Sequence, residues 1–309
     1  MDIHVRDLRY FVAVAEELSF TRAASERLYI SQPALSKQIR QLEITLRATL
    51  FHRSRRSVSL TAAGTALLPR ARRIIEQWDG AQRAVSAAVS TQDSTLTVGF
   101  QTRIGRGLIP AVTARMQRSL PGWRLLFRQV PWNDASAGLA SGTTDVAIAW
   151  LPVPDSRYAW KVVTTEERWV AMPADHRLAA RLTVPFTELA DEPFIALPAA
   201  AGRLRDFWLA ADQRQTPARI ATEAETAEET FEAVAAGLGV VLLSAGNAES
   251  YQREDVVARP VAGLPPSELA VVWRADDRRP AVRLFADACC ACSADPGQSA
   301  QAECVPTNA

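Results

Sequence analysis

Residues 20–61 read FTRAASERLYISQPALSKQIRQLEITLRATLFHRSRRSVSLT, and the stretch predicts two helices around a turn, followed by a short basic hairpin. The first helix is expected to open at Thr21, whose hydroxyl can cap a free backbone N–H, and to run through Arg22 to Leu28. Ser31 then reads as an N-cap, and Pro33 sits in the first turn of a second helix, where its missing N–H costs nothing. Leu35, Ile39, Leu42 and Leu46 recur at spacings of four, three and four, so they share one face and should pack inward. The opposite face carries Gln32, Pro33, Ser36, Lys37 and Arg40. Their donors and acceptors suit base edges and phosphates if this helix enters a major groove. Phe51 to Thr61 forms two short runs around Arg53, Arg55 and Arg56, which suits a wing lying along the backbone or minor groove. Thr21, Arg22 and Ser31 complete the expected DNA-contacting set. Taken alone, the pattern also fits a helical hairpin with a solvated charged face.

The flanking residues narrow the choice. Leu8 to Glu16 (LRYFVAVAE), Ser19 to Ala24 (SFTRAA), Ser31 to Ser36 (SQPALS), Ile39 to Glu43 (IRQLE), Leu50 to Arg53 (LFHR) and Leu60 to Gly64 (LTAAG) together resemble the N-terminal domain of LysR-type transcriptional regulators. A weaker resemblance continues to about Asp287, and Tyr29-Ile30 departs from the smaller pair the family often has. The resemblance implies an N-terminal winged helix-turn-helix with a long linker helix, and a C-terminal α/β effector domain of two lobes resembling a periplasmic binding protein. It also implies binding to double-stranded promoter DNA as a homodimer or homotetramer, modulation by a small-molecule effector held between the lobes, and room for a contact with RNA polymerase.

At 309 residues the chain is long enough for two or three domains. The net charge of +1 hides an asymmetry: residues 1–90 hold 14 Lys and Arg against 8 Asp and Glu, whereas the remainder is net negative. Only the first part is therefore suited to a polyanion. Nearly all the cations are Arg, which favours bidentate contact with guanine or phosphate. No run approaches the roughly 18 consecutive apolar residues of a membrane span, and the N-terminus lacks a signal-peptide core. A cytoplasmic protein with no membrane contact is expected. Cys289, Cys290, Cys292 and Cys304 lie in or beyond the last helix, without a zinc-like spacing. They read as a thiol switch or metal site on one view, and as parts of a terminal helix and tail on the other.

Read in order, a helix over about 6–17 should turn Leu8, Phe11, Ala15 and Leu18 inward. Thr61 should cap a long helix to about Val89, in which Leu67, Ala71, Ile74, Trp78, Ala81, Val85 and Ala88 alternate at four and three. That register argues for a dimer seam, expected to begin after the helix-bending Pro69. Beyond a polar hinge the chain alternates strands (96–100, 123–127, 145–150) with helices (104–119 and about 135–140), implying a mostly parallel sheet. It crosses near Thr164 into a second such unit and returns with a strand at 268–273 and a last helix from about Pro280. The expected domains are 1–60 (winged helix-turn-helix), 61–89 (linker and dimerisation helix), 90–94 (hinge) and 95–292 (effector domain). Within the last, lobe I covers about 95–164 and 267–292 and lobe II about 165–266. Residues 293–309 are expected to form a disordered tail.

Ligands in such folds bind at the carboxyl ends of strands. The candidate effector site is therefore Gln101, Thr102 and Arg103 after the first strand, Pro131 and Trp132 after the second, and Trp150 after the third. Leu197 and Pro198 would face them from the second lobe, with Ser244 after a later strand. The family's effector-binding Ser or Thr falls at or beside Arg103, and an Arg there can make paired hydrogen bonds to a carboxylate, which points to an organic acid. The competing view keeps Trp132 and Trp150 as packing and Arg103 as a solvated residue. Gly105-Arg106-Gly107 lacks the rest of a dinucleotide fingerprint, and Gly237-Leu238-Gly239 reads as a helix C-cap. His4, His52 and His176 have no nucleophile or carboxylate arranged beside them, so no catalytic residue, metal or cofactor is expected. A binding protein with an incidental basic end, and an α/β enzyme acting in the cleft, are the weaker alternatives.

Overall fold

The computed structural model describes residues 3–53, 57–104 and 107–293. The chain divides into two units, the first ending at Val85 and the second beginning at Ser86.

In the first unit, helix α1 (Val5–Glu17) is followed by α2 (Phe20–Arg22), which widens into a π-type turn over Ala23–Leu28, and then by α3 (Gln32–Leu46). Ser19, not Thr21, caps α2, with its hydroxyl accepting from Arg22 N at 3.3 Å. Thr21 lies two residues further on, already inside the helix, and so is not at the capping position. Strands β1 (Phe51–Arg53) and β2 (Val58–Leu60) pair antiparallel, with Phe51 opposite Leu60. The core is Phe11, Phe20, Leu35, Ile39, Leu42, Leu50 and Phe51, with the Phe51 ring centroid 5.4 Å from Phe11 and 5.7 Å from Phe20. Leu18 and Leu46, both expected inside, are exposed, because the chain turns left-handed at Leu18 and Arg47 and carries the helix ends away from the core.

Helix α4 (Ala62–Gln92) opens under a Thr61 cap: the hydroxyl accepts from Gly64 N at 3.0 Å and donates to Thr49 O at 2.6 Å. A Cβ on Gly64 would lie 2.2 Å from Leu50 O, so the helix can start against this turn only with glycine there. The helix runs through Gln92, so the first three residues of the expected 90–94 hinge are helical. Their Ser, Thr and Gln backbone groups simply continue the helical hydrogen bonding.

The second unit contains β3 (Thr95–Phe100), α5 (Leu108–Ser119), β4 (Arg124–Gln129), β5 (Val146–Trp150) and a long β6 (Tyr158–Glu166). Only Glu167 separates β6 from β7 (Arg168–Pro173), which makes this junction, not Thr164, the first crossing between lobes. The second lobe continues with β8 (Val184–Pro185), β9 (Pro193–Ala196), α6 (Arg203–Trp208), β10 (Arg219–Glu223), α7 (Ala227–Ala235), β11 (Val241–Ser244), α8 (Ala245–Ser250) and β12 (Val256–Ala262). Residues 263–266 cross back to β13 (Ser267–Arg274), and α9 (Pro280–Ser293) ends the described chain.

Lobe I is a five-stranded sheet ordered β4-β3-β5-β13-β6. The β3 strand runs parallel to β4 and β5, but the returning β13 is antiparallel to both β5 and β6, so the sheet is mixed. Chain direction at the second crossing imposes this. Lobe II pairs β11-β7-β12-β8 in one sheet and β9 parallel to β10 in another. The β6, β10 and β12 strands are not evident from sequence pattern: β10 is almost wholly exposed, and Pro260 sits within β12. The helix expected at 135–140 is a set of turns instead. The Asp134 carboxylate accepts from Ser136 N, Ser136 Oγ and Gly138 N, and Ala137 and Gly138 take positive φ. Helix α5 starts at Leu108, leaving Ile104 outside it.

Helix α9 is anchored by buried charge. The Arg279 guanidinium pairs at 2.7 Å with both Asp145 and Asp277, and Asp145 also accepts from Thr97 N on β3. Burial pushes the Asp277 carboxyl up, but hydrogen bonds from Arg279 outweigh it and hold the group below the usual carboxylate range.

Candidate functional site

Helix α3 separates its two faces as its spacing requires. Leu35, Ile39 and Leu42 are buried, while Gln32, Pro33, Lys37 and Arg40 are exposed and Ser36 is half-buried. Gln32 Nε2 donates to Ser36 Oγ at 2.8 Å, which aligns two polar side chains along the exposed face. Lys37 and Arg40 have no partner among the described residues. Ser31 is occupied as the N-cap, accepting from Ala34 N at 3.4 Å, and Arg22 is held by the Glu17 carbonyl and carboxylate. Thr21 stays exposed, and so does Tyr29, which stands in a left-handed turn just before α3.

The wing differs from expectation at Arg53. Its guanidinium pairs with Glu43 Oε2 at 2.9 Å and lies 4.6 Å from the Phe20 ring centroid, so it braces the wing against α2 and α3. Glu43 Oε1 accepts from Leu50 N at 2.8 Å and Phe51 N at 3.3 Å, making this carboxylate the anchor of β1. The sequence shows Glu43 only as one more polar residue on α3. Arg55 and Arg56 lie outside the described residues.

Along α4, Ala71 is in the core of the first unit and Leu67 packs against it, so Leu67 is spent within its own domain and leaves the expected seam. The next positions in register remain uncovered. Ile74, Trp78, Ala81 and Val85 are exposed, Trp78 at 48% and Val85 at 65%.

Between the lobes of the second unit lies an aromatic cleft. Thr102, Trp132 and Trp150 line it from lobe I, and Leu197, Trp208 and Phe231 are among those that line it from lobe II. Thr102, Trp150 and Leu197 sit at or just past the carboxyl ends of β3, β5 and β9, where such sheets offer backbone and side chains to ligands. Trp150 donates from Nε1 to Thr102 Oγ1 at 3.2 Å and packs edge-on to Trp208 at 5.9 Å. Phe231 stacks on Tyr251 at 4.9 Å. The polar groups are the Thr102 and Thr230 hydroxyls, the Asn247 amide and the Tyr251 hydroxyl; no charged side chain lines the cleft among the described residues. Burial pushes the Tyr251 hydroxyl up from its ordinary value, so it serves as a neutral group. The lobes are clasped, with Trp132 N donating to Glu225 O at 2.9 Å and Arg103 N to Tyr251 Oη at 3.0 Å. The remaining cavity of about 40 Å³ holds about one water. A larger molecule requires the lobes to part or an aromatic ring to turn.

Several expected lining residues do other work. The Arg103 guanidinium lies 4.7 Å over the Tyr251 ring and donates to Ser250 O at 2.6 Å, facing a separate groove with Phe100 and Phe127. Gln101 donates to Asp134 O, and the wholly buried Ser244 caps α8 by accepting from Asn247 N at 3.2 Å. Pro131 and Pro198 do not reach the cleft wall. Trp208, Thr230, Phe231, Asn247 and Tyr251 were not expected there. Only Asn247, one turn past a strand end, carried a positional signal.

Cys289 is buried, which pushes its thiol well up and away from the reactive thiolate, and Cys290 and Cys292 are half-buried and unbridged. Cys304 and residues 294–309 lie outside the described chain, as do Gly105 and Arg106. Among the described residues no helix is long and apolar enough to cross a membrane, and no cluster of His, Cys, Asp or Glu could hold a metal ion.

Residues 5–65 match the family model of bacterial regulatory helix-turn-helix proteins of the lysR family, and residues 90–291 match that of the LysR substrate binding domain. The HTH-type transcriptional regulator ShiR of Corynebacterium glutamicum is 36% identical over 248 residues, covering 79% of this chain and 83% of that protein. The Hca operon transcriptional activator HcaR of Escherichia coli is 33% identical over 288 residues, covering 92% and 96%. Among solved structures, a variant of full-length OxyR from Pseudomonas aeruginosa aligns with a TM-score of 0.51 at 29% identity, over 93% of this chain and all of that one. The chain thus belongs to the LysR family of transcriptional regulators, with a helix-turn-helix DNA-binding domain followed by a two-lobed substrate-binding domain.

Proposed function

We propose that this regulator binds promoter DNA in the cytoplasm as a homodimer or homotetramer, and that a small molecule in the inter-lobe cleft modulates that binding. The observation that carries the proposal is the aromatic cleft at the carboxyl ends of three strands, in a chain whose other unit presents an exposed polar helix face. On this reading Gln32, Ser36 and Lys37 meet base edges or the phosphates flanking them. Arg40, Thr21 and Arg22 contribute phosphate contacts, and Ile74, Trp78, Ala81 and Val85 form the seam between protomers. A promoter-bound oligomer of this kind can in turn touch RNA polymerase.

The effector has a flat, mostly apolar body that inserts among Trp132, Trp150, Trp208 and Phe231, with a hydroxyl, amide or acid group directed to Thr102, Thr230 and Asn247. An organic acid finds a full counter-charge only if Arg103 leaves Ser250 and turns inward. Gel shifts with DNA upstream of its own gene, run against matched aromatic acids, amides and alcohols, test this reading. Thermal shifts of the full chain and of Arg103→Ala accompany them. Expected is an effect from aromatic compounds that Thr230→Val weakens; no response to any aromatic compound, or one indifferent to Thr230→Val, removes the cleft as the effector site. Loss of the acids alone in Arg103→Ala identifies an acid effector.

A further inference from the structure

A second groove, of about 520 Å³, lies where the chain passes between the lobes. Pro265 and Pro266 of the second crossing, Trp160 of β6 and Phe207 of α6 supply apolar walls. Two charged side chains, Arg203 and Glu268, also line it; both are exposed, and neither has a hydrogen-bond or ion-pair partner for its side chain among the described residues.

We propose that this groove is a second small-molecule site, for a ligand that carries an ammonium and a carboxylate on an apolar body, such as an α-amino acid with a large side chain. A simple anion attracted to Arg203 would meet Glu268, and a simple cation attracted to Glu268 would meet Arg203. A zwitterion satisfies both while its body covers Trp160, Phe207 and the prolines. The volume falls in the range of small-molecule pockets.

The groove shares its walls with the effector cleft. Trp150 lines the cleft and Leu151 the groove; Trp208 lines the cleft and Phe207 the groove, their rings edge-on at 5.1 Å. Phe207 also carries the Arg168 guanidinium 4.4 Å over its ring, and Arg168 donates at 2.8 Å to both Phe207 O and Pro265 O. A ligand in the groove therefore bears on the second crossing and on the cleft wall together.

Calorimetric titration of the full chain with L-phenylalanine, L-leucine and L-tryptophan tests the proposal. N-acetyl-L-phenylalanine and L-phenylalanine methyl ester serve as probes that each lack one charge. Saturable one-to-one binding of at least one amino acid is expected, with both phenylalanine derivatives weaker than L-phenylalanine by roughly tenfold or more. Arg203→Gln and Glu268→Gln, both at exposed positions, should each cause a similar loss with an unchanged melting temperature, whereas Thr230→Val in the cleft leaves the binding intact. The proposal is overturned if none of the three amino acids binds, if the derivatives bind as well as the parent, or if Thr230→Val abolishes binding that the groove substitutions spare. The last pattern would assign the ligand to the effector cleft.

Discussion

Replacing Trp78 with Glu should separate the protomers. Trp78 keeps 48% of its surface exposed on α4 and Ile74 keeps 44%, although both are apolar and neither belongs to the core of the first unit. A Trp covers about 150–250 Å² when buried, so about 100 Å² of Trp78 remains for a partner to cover. At about 25 cal/mol per Å² that area contributes about 2.5 kcal/mol per protomer, or about 5 kcal/mol across a two-fold interface that presents it twice. Losing this much raises the dissociation constant by roughly three to four orders of magnitude, before the cost of desolvating two carboxylates is added. Sedimentation velocity over a nanomolar-to-micromolar concentration series reads the change directly. Circular dichroism should stay native, because neither residue is among the buried core of the first unit. DNA affinity for a palindromic site should fall in parallel, since two recognition helices read such a site. If both Trp78→Glu and Ile74→Glu sediment as the parental oligomer, the exposed stripe on α4 is not the seam.

Gln32→Ala should cost on the order of 1–3 kcal/mol on a specific site and relax preference at one position. Glu43→Gln, which frees Arg53 and loosens β1, should weaken specific and random DNA alike in gel shifts; identical profiles for the two variants would refute the division of roles. Because the folded Asp277 carboxyl is held below its unfolded value, its stabilisation is fully present above about pH 3.9 and disappears as pH falls through the lower folded value. Acid titration of the melting temperature should show that loss in the parent and less of it in Asp277→Asn. Arg279→Ala, which takes the shared guanidinium from two buried carboxylates and leaves Asp145 with Thr97 N and Asp277 with the longer 3.5 Å Arg274 pair, should cost roughly 3 kcal/mol near neutral pH.

Local signals make the first unit legible from its sequence. Caps, a proline in the first turn and an apolar stripe at helical spacing are short-range features, and Ser31, Pro33, Leu35, Ile39 and Leu42 take the places that their spacing assigns. The same logic finds the strand ends at Phe100 and Trp150, because buried strands declare themselves as apolar runs. Tertiary structure decides what those ends are used for. Arg103 occupies the expected backbone position, but the nearby Tyr251 ring and Ser250 carbonyl, about 150 residues away in sequence, draw its guanidinium out of the cleft. Arg53 is likewise claimed by Glu43 and Phe20, and Leu67 by the core of its own domain. A charged or apolar side chain states its chemistry in the sequence. Which partner satisfies it depends on long-range packing, because only the folded chain brings Trp208 to Trp150, Phe231 to Tyr251 and Arg279 to Asp145.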